Sequence, residues 1–493
     1  MFEKIKFLKQ WTAIALSDTP KLDPDAIAGA TSSMLAKLKS WLATAMLAIA
    51  VTMTIAFAIA SPSWAIPTRA WQSPAVSKPR SRPAYLDRVI DLIDRDSSSL
   101  IDVFKDIHQH PELGFEETRT AAIVADQLNG LGYEVKTGIG KTGVVGILEN
   151  GDGPIVMVRA DMDSNSVQEK TGLEYASKVE GLMHACGHDA HVTWMLGLAK
   201  LMVEMEDAWH GTLVLVGQPA EEIIQGAKAM VDDGLYDQYG VPIPDILLAA
   251  HTAPGPTGYV ANVPGTRMAG TNQIEVTFHG IGGHGSNPHL TKDPIVMTAA
   301  AIMQYQAIVS RAIDPQEAAV ITVGSVQAGI DANVIPAESL LKINLRWFSE
   351  AVKDTMIAGI QQINESIARA YGMPEDQLPE MKFLSESTPL VNDEEMVEKI
   401  NPPLVHLLGA GNLILDMPPT TGSEDAHLLK GKNEGVLFDY VVIGIADPDL
   451  FGEAIAAGLS VPFSNHNPNF QVDLNAIPLG AKVVSVMTLA AFN

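Results

Sequence analysis

The sequence predicts an α/β fold: a central mixed, largely parallel sheet, interrupted by a smaller inserted α+β domain. Three observations carry that prediction. Between residues 86 and 265 helical and strand-like patterns alternate, and such alternation builds a sheet covered by helices. From Thr266 the order becomes strand, helix, strand, strand, helix, which sets helices on one face of an antiparallel sheet. After about residue 381 the α/β style returns and continues to Asn493. The chain therefore divides into a leader over 1–65, a linker over 66–85, a first α/β segment over 86–265, the insert over 266–380 and a second α/β segment over 381–493.

The elements follow in order. Residues 118–131 carry apolar side chains at helical spacing and stop at Gly132. The runs 144–148 and 155–158 are short, apolar and bounded by Gly and Asp. Residues 192–202 are helical, and 212–216 and 246–250 are strand-like. In the insert, 272–279 alternates as a strand, 294–309 is helical, 319–326 and 340–347 are strand-like, and 351–371 is helical. Four polar clusters accompany the apolar runs of the first segment: Arg159-Ala-Asp161, Cys186-Gly-His188, Glu221-Glu222 and His251. Three of them directly follow a predicted strand. Open α/β sheets place their sites beyond the carboxyl ends of strands, so these clusters can converge.

Composition narrows the function. With 47% hydrophobic and 18% charged residues among 493, the chain is not of the disordered class. A formal charge of −25 argues against nucleic acid, which needs clustered Lys and Arg. The run that begins at Trp41 and ends at Ala60 is uncharged, follows Lys37 and Lys39, and precedes Ser63-Trp64-Ala65. Basic flank, apolar run and small-x-small site describe a secretory signal cleaved before Ile66, with Met34 as the true start. The expected destination is the periplasm or another extracytoplasmic compartment. The alternative is a membrane anchor, since ~20 apolar residues span a bilayer. Residues 66–83 hold four prolines and read as a linker.

Chemistry concentrates in a few constellations. A thiol and an imidazole two residues apart, Cys186 and His188, can bind one cation or flank a pair. Alone, that spacing is better explained by a buried thiol beside a capping histidine. Export favours the metal reading, because ligation protects the lone cysteine from oxidation. His191, three residues on, reads as packed on the helix face. Glu221 and Glu222 are adjacent carboxylates, a costly pair unless cations balance them. Their side chains diverge, so one can ligate while the other faces substrate. Taken alone, the pair is better explained as a solvated acidic helix start. His251 ends an apolar run, His466 lies in a polar loop, and Asp161 and Asp163 end a strand where caps and turns also place Asp.

Their joint occurrence resembles the amidohydrolase group of the dinuclear aminoacylase–carboxypeptidase metallopeptidase family, which includes hippurate hydrolases and hydrolases of auxin–amino acid conjugates. The matching stretches are His108-Gln-His-Pro-Glu-Leu113, Arg159-Ala-Asp-Met-Asp163, Met183-His-Ala-Cys-Gly-His-Asp-Ala-His191, Gln218-Pro-Ala-Glu-Glu222, Gly282-Gly-His-Gly285 with Pro288-His289, Asn333-Val-Ile-Pro336, Ser423-Glu-Asp425 and His466-Asn-Pro468. The resemblance covers residues 86–493. It implies two divalent ions (Zn, Mn, Co or Ni) held by Cys186, His188, Glu222, His251 and His466, with the thiolate between them. It implies Glu221 as general base and Asp161 as a supporting carboxylate. The insert would be a lid and dimerisation domain, bringing His284 and Asn333 to the oxyanion and Arg346 to a substrate carboxylate.

Three departures affect the substrate pocket rather than the ligands. Ala426-His427 follows Ser423-Glu-Asp425 where an aromatic is expected. Lys342-Ile-Asn-Leu345 stands before Arg346 where relatives often carry Gly-Thr. The stretch 444–464 is long. The leading expectation is a metal-dependent hydrolase of N-acyl amino acids or related small amides. A carboxypeptidase or dipeptidase on the same site is the alternative, followed by a membrane-tethered binding protein. No Gly-x-Ser-x-Gly elbow supports a serine hydrolase.

Overall fold

The computed structural model describes residues 81–493. The leader, with Met34, the Trp41 to Ala60 run and Ser63-Trp64-Ala65, lies outside the described residues, as does most of the linker. Among the described residues no helix is long and apolar enough to cross a membrane.

In chain order the first α/β segment holds α1 (Leu86–His108), α2 (Thr118–Gly130), β1 (Glu134–Ile139), β2 (Gly143–Asn150), β3 (Ile155–Asp161), α3 (His188–Glu204), β4 (Gly211–Gln218), α4 (Gly226–Asp232), β5 (Ile246–Pro256), β6 (Val260–Ala261) and β7 (Gly265–Met268). The smaller layer holds β8 (Gly270–His279), β9 (Gly283–His284), α5 (Pro294–Ala307), β10 (Val320–Ala328), β11 (Val334–Ile335), β12 (Glu338–Trp347), α6 (Glu350–Ala370) and β13 (Glu380–Ser387). The chain then completes the larger layer with β14 (Leu390–Asn392), α7 (Glu394–Leu408), β15 (Leu413–Ile414), β16 (Leu437–Ala446), α8 (Pro448–Ala456) and α9 (Ala476–Phe492).

The large sheet has the order β1-β2-β4-β3-β5-β16-β6-β15. Its centre, β4-β3-β5-β16, is parallel throughout, and antiparallel pairs flank it. Helices α1, α3 and α9 bury one face. Leu86, Val89, Ile93, Leu100, Phe104 and Ile107 repeat at helical spacing along α1 and form its core stripe. Helix α9 is apolar all round because it lies deep in that layer, where Ile477, Ala481, Val484 and Met487 are all buried. The opposite face is closed by α4 and the 426–430 turn, around Met157, Val216, Leu247 and Phe438.

The small sheet is antiparallel, in the order β10-β12-β8-β13, with α5 and α6 on one face over Ile274, Phe278, Leu341 and Trp347. It extends past residue 380, where the sequence pattern places the end of the insert. Strand β13 pairs with β8 from Glu380 to Ser387. As an edge strand it buries only Ser385 and Ser387, so it has no apolar alternation to reveal it. Strand β5 likewise continues five residues beyond His251, which therefore sits within the strand rather than at its end.

Candidate metal centre and catalytic carboxylates

The site is built where the parallel strands end, as the strand-end rule requires. Asp161 closes β3 and Asp163 follows two residues later. Gln218 closes β4, and Glu221 and Glu222 stand in the turn beyond it. Cys186 precedes α3, and His188 is its first residue. Gly187 between them has φ +84°, and a Cβ there would stand 2.7 Å from Thr252. Only glycine lets this turn press onto β5. Thr252 Oγ1 donates to the Cys186 carbonyl at 2.6 Å, so β5 and the turn are registered and His251 faces the thiol.

The carboxylate turn is held with comparable care. Ala220 has φ +51° and Ile224 φ +53°, left-handed conformations that cost energy in residues with a Cβ. The Ala220 N–H donates to buried Glu117 at 2.8 Å, and the Glu222 N–H donates to Asp163 Oδ2 at 2.9 Å. His466 also has positive φ, +63°, and its N–H donates to the Ala185 carbonyl at 2.8 Å. Behind the site His108 Nδ1 meets Asp189 Oδ2 at 2.6 Å and seats the start of α3.

The donor atoms converge. Cys186 Sγ is 3.6 Å from His251 Nε2, and His466 Nε2 is 3.2 Å from Glu222 Oε2. His188 Nε2 lies 3.8 Å from both Glu221 Oε2 and Glu222 Oε1, and 3.5 Å from Asp161 Oδ2. The donor atoms of Cys186, Glu222 and His466 all fall within 4.8 Å of one another. The same holds for Asp161, His188, His191 and His251. His191 is not free to ligate. Its Nδ1 meets Asp161 at 2.6 Å and its Nε2 accepts the Thr252 N–H at 2.9 Å, so it is the packed histidine that its spacing predicts.

These residues fit a cation. Among the described residues His188 Nε2 and Glu222 Oε1 are buried without a hydrogen-bond partner yet face each other, an arrangement costly unless something positive bridges them. The rear nitrogens set the donor faces: His188 Nδ1 meets Asp163 Oδ1 at 3.2 Å, and His251 Nδ1 donates to the Thr252 carbonyl at 2.7 Å. Burial and Glu222 push the Cys186 thiol up, but His251 and His188 outweigh them and bring it down to about 6. Burial raises Glu222 too, and His466 and His188 hold it down at about 2. Thiolate, imidazole and carboxylate together form a donor set suited to zinc-like divalent ions.

Glu221 is different. Burial, Glu424 and Glu222 push its carboxyl well above the ordinary range. Below it, buried Arg159 donates to Asp161 and Glu424 at 2.6 Å and to Gln218 at 2.8 Å. Asp425 accepts from Gln218 at 2.6 Å, and burial with the Glu424 charge raises it to about 7. Asp161 is thus committed to Arg159 and His191, while Asp163 supports His188 directly. Sequence reasoning gave Asp163 no role and gave Glu424 none. The backbone hydrogen bond from Glu222 that orients Asp163 has no signature in residue order.

The remaining predicted residues sit on the small layer. Arg346 reaches the site: its Nη1 donates to Ser423 Oγ and its Nε to Asn344 Oδ1 at 2.7 Å. Burial lowers its proton affinity, and the charge of Glu221 counters that. His284 and Asn333 adjoin each other across the β9–β11 pair, where Gly285 N–H donates to the Asn333 carbonyl at 2.7 Å. No hydrogen bond among the described residues joins them to the donor cluster. His284 is exposed, and its Nδ1 accepts the Ser286 N–H at 3.1 Å, so its proton resides on Nε2. His427, standing where an aromatic is expected, is buried and pairs with Thr388 Oγ1 at 2.9 Å.

A donor cluster that runs from buried His188 to exposed His466, beside the buried carboxylate Glu221 at the strand ends of an α/β sheet, defines a metallohydrolase. The chain belongs to peptidase family M20/M25/M40, whose pattern matches residues 157–489, and it is an amidohydrolase. It is 38% identical over 323 residues to the hippurate hydrolase of Campylobacter jejuni, spanning 65% of this chain and 82% of that one. It is 33% identical over 400 residues to thermostable carboxypeptidase 2 of Saccharolobus solfataricus, spanning 80% and 95%. The crystal structure of YxeP of Bacillus subtilis, a dinuclear metal-binding peptidase of the M20 family, superposes with a TM-score of 0.63 at 26% identity, covering 81% of this chain and 99% of that one.

Gly187→Ala tests the turn that aligns Cys186 and His188 with His251. The added methyl meets Thr252 in a left-handed conformation, and the variant should lose on the order of 1–3 kcal/mol of stability. Urea denaturation monitored by Trp fluorescence measures this, and an unshifted midpoint contradicts it.

Proposed function

We propose that the protein hydrolyses the amide bond of N-acyl amino acids or related small amides. The observation that carries this reading is the pair of buried ligand atoms, His188 Nε2 and Glu222 Oε1, which have no hydrogen-bond partner among the described residues and stand beside the buried carboxylate Glu221. Two divalent ions (Zn, Mn, Co or Ni), held by Cys186, His188, Glu222, His251 and His466, would supply the charge that acidifies water and polarises the amide carbonyl. Asp163 keeps His188 aimed inward, and Asp161 with Arg159 fixes the floor. Glu221 takes a proton from the attacking water and returns it to the departing amine, a task suited to a buried carboxyl of raised proton affinity. His284, with its proton on Nε2, and Asn333 donate to the developing oxyanion once the small layer closes on substrate. Arg346 meets the carboxylate of the amino-acid portion.

Peptide substrates are the second reading. The same Arg346 would accept a C-terminal carboxylate, and the carboxypeptidase likeness supports it. We also infer export and self-association. The leader supports the first. Strand β10 is an edge whose Val320 and Val326 are exposed, next to exposed Ile330 and with Met303 on α5, and an apolar edge of this kind favours a partner copy.

Glu221→Gln should keep full metal stoichiometry and lose at least ~10²-fold in turnover, the scale of general acid–base catalysis. Glu222→Gln should lose metal and recover partly in excess metal. Metal analysis and turnover of both variants in one buffer decide it. Exchanged behaviour reverses the two roles, and full activity in both ends the mechanism. Native mass spectrometry of the purified protein should show a chain beginning at Ile66 and a two-chain mass. A retained 41–60 segment means an anchor, and a one-chain mass excludes the homodimer.

A further inference from the structure

Arg346 stands out among the charged groups of the site. Its guanidinium is partly buried, yet among the described residues no carboxylate lies within salt-bridge distance of it. Arg159, close by, has three. A desolvated cation without an anion is unfavourable, and the deficit is removed by an anion that binds there. The neighbours of Arg346 are neutral acceptors. Asn344 Oδ1 takes the Nε–H at 2.7 Å, and Ser423 Oγ takes one proton of Nη1.

Both acceptors are themselves fixed in polarity. The Asn344 amide donates to Thr271 Oγ1 at 3.2 Å, which turns its oxygen toward Arg346. Ser423 Oγ spends its only proton on the Ala269 carbonyl at 2.9 Å, so toward Arg346 it can only accept. A guanidinium has five N–H groups. Two are used here, and both protons of Nη2 and one of Nη1 have no protein acceptor among the described residues. The guanidinium is therefore held at two points from opposite layers, Asn344 on β12 and Ser423 beside Glu424. Its three unspent donors are available to a bound anion.

We propose that Asn344 and Ser423 are positioning residues that orient Arg346 as a receptor for a free carboxylate, which makes the enzyme selective for amides whose amine portion carries an acid. This rests on the reading of the site as an amidohydrolase centre with Arg346 in the substrate cleft, and it goes beyond that reading by assigning the selectivity to two neutral side chains. Asn344 lies in the stretch Lys342-Ile-Asn-Leu345, where the sequence departs from the expected Gly-Thr. The departure then has a function: it supplies the acceptor for Nε. Planar two-point recognition of a carboxylate depends on the angle of the guanidinium, so loss of one acceptor acts on substrate recognition rather than on the chemical step.

The experiment compares an N-acyl amino acid with the same compound carrying a terminal carboxamide, using the metal-loaded full enzyme. Wild type should prefer the acid. Asn344→Ala should lower the acid-to-carboxamide ratio of kcat/KM by about 10-fold, with the change in KM for the acid, the scale of a hydrogen bond to a charged group. Asn344→Asp sets an internal anion against Arg346 that competes with the substrate carboxylate, and it should lower the preference as well. Ser423→Ala should act in the same direction as Asn344→Ala, and it carries the test if Asn344→Ala fails to fold. Arg346→Met should abolish the preference. If Arg346→Met abolishes it while Asn344→Ala and Ser423→Ala stay within twofold of wild type, the positioning role is overturned and the carboxylate reading stands. If Arg346→Met retains the preference, the carboxylate reading itself falls. A loss in kcat on both compounds alike would mark a merely structural role and also overturn the proposal.

Discussion

Among the described residues Arg159 is the one guanidinium that lies fully buried beneath the site, and four carboxylates crowd around it: Asp161 and Glu424 at 2.6 Å, Asp425 at 3.4 Å, and Glu221 above. One positive charge cannot neutralise them all. Burial and mutual repulsion push protons onto Asp425 and Glu221, while Arg159, His188 and His191 keep Asp161 well below its usual range in spite of burial. The charge arithmetic of this pocket assigns the roles. The carboxylate nearest the guanidinium becomes scaffold, and the one farther from it becomes a group that can hold or release a proton.

The same network ties the architecture together. Arg159 is on β3, Gln218 ends β4, and Glu424 and Asp425 arrive from the second α/β segment more than two hundred residues later. Tyr440, on β16, reaches Glu424 as well. Through Ser423 and Arg346 the network also touches the small layer. A charged cluster of this kind contributes little net stability compared with apolar packing, but breaking it is expensive because a charge is stranded. It therefore fixes geometry, and the strained residues Ala220 and His466 can be held in place around it.

Strain and charge act on the same few positions. The left-handed Ala220 and His466, and glycine at 187, set three loops so that their side chains point into a common volume. The supporting contacts are nearly all to backbone: Glu117 to Ala220, Asp163 to Glu222, Ala185 to His466 and Thr252 to Cys186. Backbone contacts hold a loop whatever its side chains do, which leaves Cys186, His188, Glu222, His251 and His466 available for a cation.

The alternation of strand and helix and the order of polar clusters were legible in the chain because periodicity and residue type are local properties. So was the packed character of His191, whereas the candidate donors stood out only through their joint resemblance to a known family. Tertiary structure alone decided the remainder. It placed β13 in the small sheet, since an edge strand with two buried serines has no pattern to read. It gave His188 to Asp163 and Asp161 to Arg159, because two carboxylates two residues apart are equivalent in sequence and differ only in what the fold sets opposite them. It left Arg346 without an anion and surrounded by oriented neutral acceptors. That property depends on residues 269, 271, 344 and 423 meeting in space, and no local pattern encodes a meeting of four distant positions.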